Sequence, residues 1–164
     1  MRIGQGIDIH KLILSRKKKN YIILGGVKIP CNYKILAHSD GDVVVHSIID
    51  AMLGACSMGD IGTMFPNTDQ KYKGIKSTIL LKKVFSLVEK NFYIKNLDIT
   101  IITEVPKVFC YVKKIRNNIS EKLKCSVKKI SVKSTTTEKL GFIGEKKGIS
   151  CNSIILLKKK IHEI

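Results

Sequence analysis

The sequence predicts an α/β protein of the layered α+β kind, a mixed β-sheet with helices packed on it. Three observations carry this. Strand-like and helix-like apolar periods alternate along the chain in the order β, ββ, α, α, β, α, β, β. No proline- or glycine-rich linker and no internal repeat interrupts that order, so residues 1–164 are expected to form one domain large enough for a real core. No run of eighteen apolar residues exists, which excludes a transmembrane helix.

Each element has its own signal. "RIGQGIDIH" alternates and reads as a strand, with Ile3, Ile7 and Ile9 on one face, suited to a core, and Gly4, Gly6, Asp8 and His10 on the other. "NYIILGGVKIP" places Gly25-Gly26 between two short β runs and reads as a hairpin. "AHSDGDVVVHSIIDAMLGACSMGD" is a helix, with Ser39, Asp40 and Asp42 offered as N-cap and first-turn acids. Within it Val43, His46, Ile49, Asp50 and Leu53 fall at helical spacing. "FPNTD" is polar turn chemistry. "STILLKKVFSLVEKNF" is a second helix with Ser77 as its N-cap, and "LDITIIT" a buried strand. "PKVFCYVKKIRNNISEKLKC" is a third helix with Pro106 near its start. "KKISVKSTTTE" is a strand entering a threonine cluster, and "GISCNSIILLKKK" a closing strand.

The formal charge of +17 is a feature of nucleic-acid binders. Here, however, Arg2, Arg16 and Arg116 are the only arginines, and arginine is the residue that forks onto phosphate and guanine. The lysines are scattered (Lys17 to Lys19, Lys82 and Lys83, Lys113 and Lys114, Lys128 and Lys129, Lys158 to Lys160), with few aromatics between them. They read as solvated faces that also attract a polyanionic small substrate. A basic nucleic-acid-binding module is the alternative reading. Cys31, Cys56, Cys110, Cys125 and Cys151 are odd in number and contain no C-x-x-C pair, so they are expected to be small, buried, reduced hydrophobes. The first residues enter strand pattern without an apolar signal or an Arg/Ser-rich transit segment, and a cytoplasmic location is expected.

Three stretches carry chemistry. Asp8 and His10 lie one pleat apart, and His46 adds a third N/O donor. Such a set leaves a fourth tetrahedral position open, the pattern of a catalytic zinc. Taken alone, Asp8 and His10 equally suit a half-exposed edge strand, and His46 a satisfied core histidine. In "KSTTTEKLGF", the hydroxyls and amides of Thr135, Thr136 and Thr137 suit phosphate oxygens, and Glu138 suits a hard cation such as Mg²⁺ or Mn²⁺. A threonine-rich strand edge reads the same way. In "TEVPKVF", a helix N-terminus beside Lys107 suits phosphate, or it is an ordinary strand-to-helix connection.

Taken together, "GIDIH", "LGGVKIP", "AHSDGDVVVH", "LGACSMGDIG", "FPNTD", "DITII", "PKV", "STTTEKLGF" and "GISC" resemble, in order and spacing, the 2-C-methyl-D-erythritol 2,4-cyclodiphosphate synthases of the non-mevalonate isoprenoid route. The resemblance covers nearly the whole chain. It implies helices on one face of the sheet and a homotrimer about a threefold axis, with active sites between subunits. The implied reaction is intramolecular. The 2-phosphate of 4-diphosphocytidyl-2-C-methyl-D-erythritol 2-phosphate attacks the β-phosphorus, and CMP leaves. Carried over by residue, Asp8, His10 and His46 hold Zn²⁺, and Glu138 helps hold Mg²⁺ or Mn²⁺ on the diphosphate. His38 and Thr136 steady the transition state. Ser39, Asp60, Ile61 and Gly62, with Phe65, Pro66, Asn67, Thr68 and Asp69, face the methylerythritol phosphate. Thr103, Glu104, Val105, Pro106, Lys107, Val108 and Phe109 form the cytidine pocket. Thr135, Thr137 and Phe142 complete the substrate contacts. Departures are Gln5, Asn67 and Glu145. Glu145 stands where many members carry an arginine facing an apolar axial channel, with Ile7 on the matching face, and that arginine can hold an isoprenoid diphosphate.

Overall fold

The computed structural model describes residues 1–17 and 20–161, so Lys18 and Lys19 of the first lysine run lie outside the described residues. Seven strands and five α-helices follow one another: β1 (Arg2–Leu14), β2 (Tyr21–Leu24), β3 (Val27–Pro30), β4 (Tyr33–Leu36), α1 (Val43–Cys56), α2 (Ile61–Met64), α3 (Ser77–Val88), β5 (Phe92–Ile102), α4 (Val112–Lys122), β6 (Ile130–Thr135), α5 (Gly141–Gly144) and β7 (Gly148–Lys159). Five strands form one sheet in the order β4-β1-β7-β5-β6. Only β5 and β6 run parallel, so the sheet is mixed. β2 and β3 form the expected hairpin, and Gly25 and Gly26 both hold positive φ (57° and 74°), as a primed two-residue turn requires.

α1 packs against β1 and β7, and α3 packs against α1. Leu97, Ile99 and Ile101 of β5 and Ile155 of β7 meet Ile48, Met52 and Leu53 of α1 in a fully buried core. The period-two reading of β1 holds, but its faces are reversed. Ile3, Ile7 and Ile9 are 73, 53 and 53 % exposed, whereas Gly4 and Gly6 are buried against α1. The reason is steric. A Cβ built on Gly6 would lie 2.0 Å from the Ser47 carbonyl oxygen, and one on Gly4 1.9 Å from that of Ala51. The glycines let a helix backbone settle directly on the strand, and α1 supplies the apolar side chains on that side. The isoleucines, with Ile154 of β7, are left on a bare sheet face.

Three other expectations change. Asp42 alone caps α1, accepting the Val45 N–H, and its two oxygens also accept the N–H groups of Gly25 and Gly26 at 2.7 and 2.6 Å. Burial pushes its carboxyl up to about 6 against the pull of those three donors. Ser77 is the first residue of α3 rather than its cap; the cap bond comes from Asp40, 37 residues away, whose Oδ2 accepts the Ser77 N–H at 3.1 Å. The third helix starts at Val112, behind a separate 3₁₀ turn over Phe109–Tyr111, so neither Pro106 nor Lys107 stands at a helix N-terminus. All five cysteines are free, but Cys151 alone is buried and Cys110 is exposed.

Candidate metal centre and substrate cleft

The seating of α1 on β1 decides the site. It sets the first turns of α1 opposite the middle of β1, so that His46 meets Asp8 and His10 on the helix-covered face. Asp8 Oδ2 lies 2.9 Å from His46 Nδ1 and 3.0 Å from His10 Nε2, and the two nitrogens lie 3.1 Å apart. The imidazoles meet edge to face, 75° apart. Donors about 2.0–2.2 Å from a tetrahedral ion stand roughly 3.3–3.5 Å from one another, so a divalent ion fits this trio with minor spreading. Two nitrogens and one carboxylate oxygen form a donor set of zinc type, with a fourth position facing the cleft.

The electrostatics are those of a site built for positive charge. Burial opposes ionisation of Asp8, but hydrogen bonds and charge from His10 and His46 hold its carboxyl well below the usual carboxylate range. Burial also opposes protonation of His46. The Asp8 carboxylate, with Asp42 and Asp40 behind it, outweighs this and lifts the imidazole above its ordinary 6.5. The outer nitrogen of His46, Nε2, lies 2.7 Å from Ser77 Oγ and 3.2 Å from Ser39 Oγ.

The trio lies at one end of a cleft of about 470 Å³. Of the sequence-derived candidates, His38, Ser39, Ile61, Gly62, Phe65, Pro66, Asn67 and Thr68 line the same cleft. His38 Nε2 is buried there without a hydrogen-bond partner, a group whose unmet bond favours a ligand. Asp60 and Asp69 do not line it. Each is engaged in capping, Asp60 on the Thr63 N–H at 2.7 Å and Asp69 on that of Lys71 at 3.1 Å. Sequence reasoning missed Tyr72, which closes the wall with its ring edge-to-face on Phe65 at 5.4 Å. An aromatic three residues past a polar turn was the available signal. It also missed Asp50, whose Oδ1 accepts the Ile61 N–H at 2.7 Å and moors α2 to α1.

A second set gathers where the parallel strands β5 and β6 end. Thr103, Pro106, Lys107, Val108, Phe109, Thr135 and Thr136 line a separate cavity of about 90 Å³, which shares no residue with the cleft. Glu104 faces elsewhere: its Oε1 accepts the N–H groups of Thr137 and Lys139, both at 3.1 Å, and ties down the loop after β6. That loop holds Glu138 at φ 52°, with Thr136 Oγ1 donating to Glu138 Oε1 at 3.2 Å. Within one chain, therefore, Glu138 lines neither the trio's cleft nor the threonine cavity, though it neighbours Thr136 of the latter. Phe142 lies against Gly148, where an added Cβ would come within 2.6 Å of its ring. Glu145 Oε2 pairs with Lys147 Nζ at 2.5 Å, so the lysine that follows it partly neutralises it.

With this geometry in place, comparison with known proteins is decisive. The YgbB family pattern matches residues 1–158. The chain belongs to the YgbB family. Curated relatives that cover nearly all of it are 2-C-methyl-D-erythritol 2,4-cyclodiphosphate synthases. That of Proteus mirabilis is 53 % identical over 161 residues, covering 98 % of both chains. That of Buchnera aphidicola is 51 % identical over 160 residues, covering 97 % of this chain and 93 % of the relative. Among solved structures, the CDP complex of Plasmodium falciparum IspF superposes with a TM-score of 0.85 at 46 % identity, covering 98 % of this chain and 97 % of that one. The bifunctional IspDF of Campylobacter jejuni superposes with a TM-score of 0.90 at 40 % identity. This YgbB-family chain covers 97 % of its own length there but spans only 42 % of that larger protein. The charge-based alternative, a nucleic-acid-binding module, finds no support among these relatives.

Proposed function

We infer that this YgbB-family chain is a cyclodiphosphate synthase, which converts 4-diphosphocytidyl-2-C-methyl-D-erythritol 2-phosphate to 2-C-methyl-D-erythritol 2,4-cyclodiphosphate and CMP. The observation that carries the reading is the convergence of Asp8, His10 and His46 on a cleft that His38, Ser39, Ile61, Gly62 and Phe65 to Thr68 of the family-like strings also line. In the reaction an oxygen of the 2-phosphate bonds to the β-phosphorus. The bond from that phosphorus to the bridging oxygen breaks, and its electron pair leaves with CMP. The nucleophile is already an ionised phosphate, so no strong general base is required. What opposes ring closure is repulsion between two anions, and catalysis is positioning plus charge stabilisation.

Asp8, His10 and His46 hold zinc in this reading, and Glu138 holds Mg²⁺ or Mn²⁺ on the diphosphate. Bound there, the cations neutralise and align the reacting phosphates. His38, with its free Nε2, and Thr136 face the phosphoryl group in flight. Ser39, Ile61, Gly62 and Phe65 to Thr68 hold the methylerythritol phosphate. Thr103 and Pro106 to Phe109, with Thr135, hold the cytidine side, and Phe142 stands at its margin. Asp60, Asp69, Glu104, Val105 and Thr137 act on this reading through the turns they shape.

The working unit is a homotrimer. Two features support this. The trio's cleft and the threonine cavity share no residue in one chain, so a site that uses both needs a second copy. The bare face carrying Ile3, Ile7, Ile9 and Ile154 is an apolar surface of the kind that subunit contacts cover. The enzyme is cytoplasmic on this reading; among the described residues no helix is long and apolar enough to cross a membrane. Incubation of the purified chain with the cytidylyl substrate and Mg²⁺ or Mn²⁺ tests the function. Release of CMP with formation of the cyclic diphosphate is expected; no CMP, or CMP without the cyclic product, refutes it.

A further inference from the structure

The geometry points to Ser77 and Asp40 as positioning residues that lock His46 in the tautomer carrying hydrogen on Nε2, so that Nδ1 presents a lone pair to the metal. The inference rests on the reading of Asp8, His10 and His46 as a zinc site, and it adds two residues that act through His46. It follows from counting protons. Ser77 is fully buried, and its hydroxyl has one hydrogen to give. Its oxygen forms a short hydrogen bond with Asp40 Oδ1, while the Ser77 N–H donates to Asp40 Oδ2 at 3.1 Å. A carboxylate only accepts, so the hydroxyl hydrogen is committed to Asp40. What Ser77 Oγ offers His46 Nε2 across 2.7 Å is then a lone pair, and the hydrogen in that contact belongs to the imidazole. Ser39 Oγ, at a longer 3.2 Å from Nε2, receives the Gly41 N–H and has Ser77 Oγ at 3.5 Å as an outlet for its own hydrogen.

The chain Asp40–Ser77–His46 therefore orients the ring from behind, as a carboxylate or carbonyl behind a metal-bound histidine does, with a serine hydroxyl interposed. It also joins three elements. Asp40 lies before α1, Ser77 opens α3 and His46 sits in α1. Asp40 is itself held by donating its N–H to Ile75 O at 3.2 Å and by accepting the Asp42 N–H on Oδ1 at 3.3 Å. The start of α3 thus doubles as the back wall of the metal centre.

The test is zinc affinity by chelator competition on the purified protein, with the tautomer read from two-bond ¹⁵N–¹H correlations of the zinc-loaded protein. Ser77→Ala is expected to weaken zinc by about 10- to 100-fold, the loss typical of removing such a partner. Ser77→Thr, which keeps the hydroxyl, is expected to restore most of it. His46 in the parent is expected to show hydrogen on Nε2. Asp40→Asn keeps the volume but only one acceptor oxygen, and it serves as the second variant should Ser77→Ala not fold. Parent-like zinc affinity in a folded Ser77→Ala or Asp40→Asn, or hydrogen on Nδ1 of His46, overturns the relay while leaving the zinc site standing. Failure of the parent itself to take up zinc overturns the site and the relay together.

Discussion

Replacing Gly6 by alanine tests the link between packing and chemistry. The new methyl carbon would start 2.0 Å from the Ser47 carbonyl oxygen, 2.7 Å from the Ala51 nitrogen and 3.0 Å from Asp50 Cβ. A carbon and a carbonyl oxygen approach to about 3.3 Å, so β1 and α1 must separate locally by roughly 1.3 Å. Two of the three contacts are backbone, and no side-chain rotation relieves them. Overpacking of this kind costs about 1–3 kcal/mol or somewhat more, which lowers the melting temperature of a chain this size by roughly 2–12 °C. The functional loss should be larger in proportion. Asp8 and His10 lie two and four residues from Gly6 on the same strand, while His46 rides on the displaced helix. Metal ligands tolerate about 0.2 Å, and a misplacement near 1 Å costs on the order of 10²-fold in rate. Thermal unfolding, chelator competition for zinc and CMP release are the measurements. Gly54→Ala is the control on the same helix: its Cβ meets nothing nearer than Gln5 O at 3.9 Å, so it should stabilise by about 0.5–1 kcal/mol. A Gly6→Ala protein that melts within about 2 °C of the parent and binds zinc equally well would refute the steric account.

Other outcomes follow from the same geometry. His46→Ala should lose most bound zinc and nearly all CMP release while remaining folded; stoichiometric zinc by elemental analysis would remove His46 from the ligand set. Glu138→Gln should weaken the Mg²⁺ or Mn²⁺ dependence of CMP release while zinc stays bound, because this carboxylate stands among hydroxyls and suits a hard ion; an unchanged metal dependence argues against it. In metal-free protein, Asp8 lifts His46 above its ordinary 6.5, so their pairing stabilises the fold fully below that pH and is lost as pH rises through the folded value. Zinc competes with the proton on His46, so its affinity should fall on acidification through that same window, and a pH-independent affinity speaks against the pairing. Glu145 pairs with Lys147, which leaves no net positive charge from this pair at the position where the family resemblance implies an arginine. Geranyl diphosphate should therefore bind the parent protein more weakly than it binds the Glu145→Arg variant, with CMP release equal in both; equal affinity by calorimetry removes the effect.

Much of this was legible in local pattern. The period-two alternation of β1, the Gly25-Gly26 hairpin, the helical spacing from Val43 to Leu53 and the closing strand all depend on near neighbours, and the chain's own residues determine them. The candidate metal donors Asp8, His10 and His46 were legible by residue type, because an imidazole and a carboxylate keep their chemistry wherever they sit. Tertiary structure alone decided which way β1 faces. Alternation is symmetric under exchange of faces, and only the 2.0 Å space left by Gly6 against α1 shows that the glycine side carries the helix. It also decided what the polar side chains around His46 do. Asp40 looked like a cap for the helix three residues on, and it caps α3 from 37 residues away. Ser77 looked like a cap for its own helix, and its hydroxyl stands behind His46 of the candidate metal site. Local spacing carries no information about which of several acceptors a donor meets, because that choice is made by distant backbone brought together when the core closes.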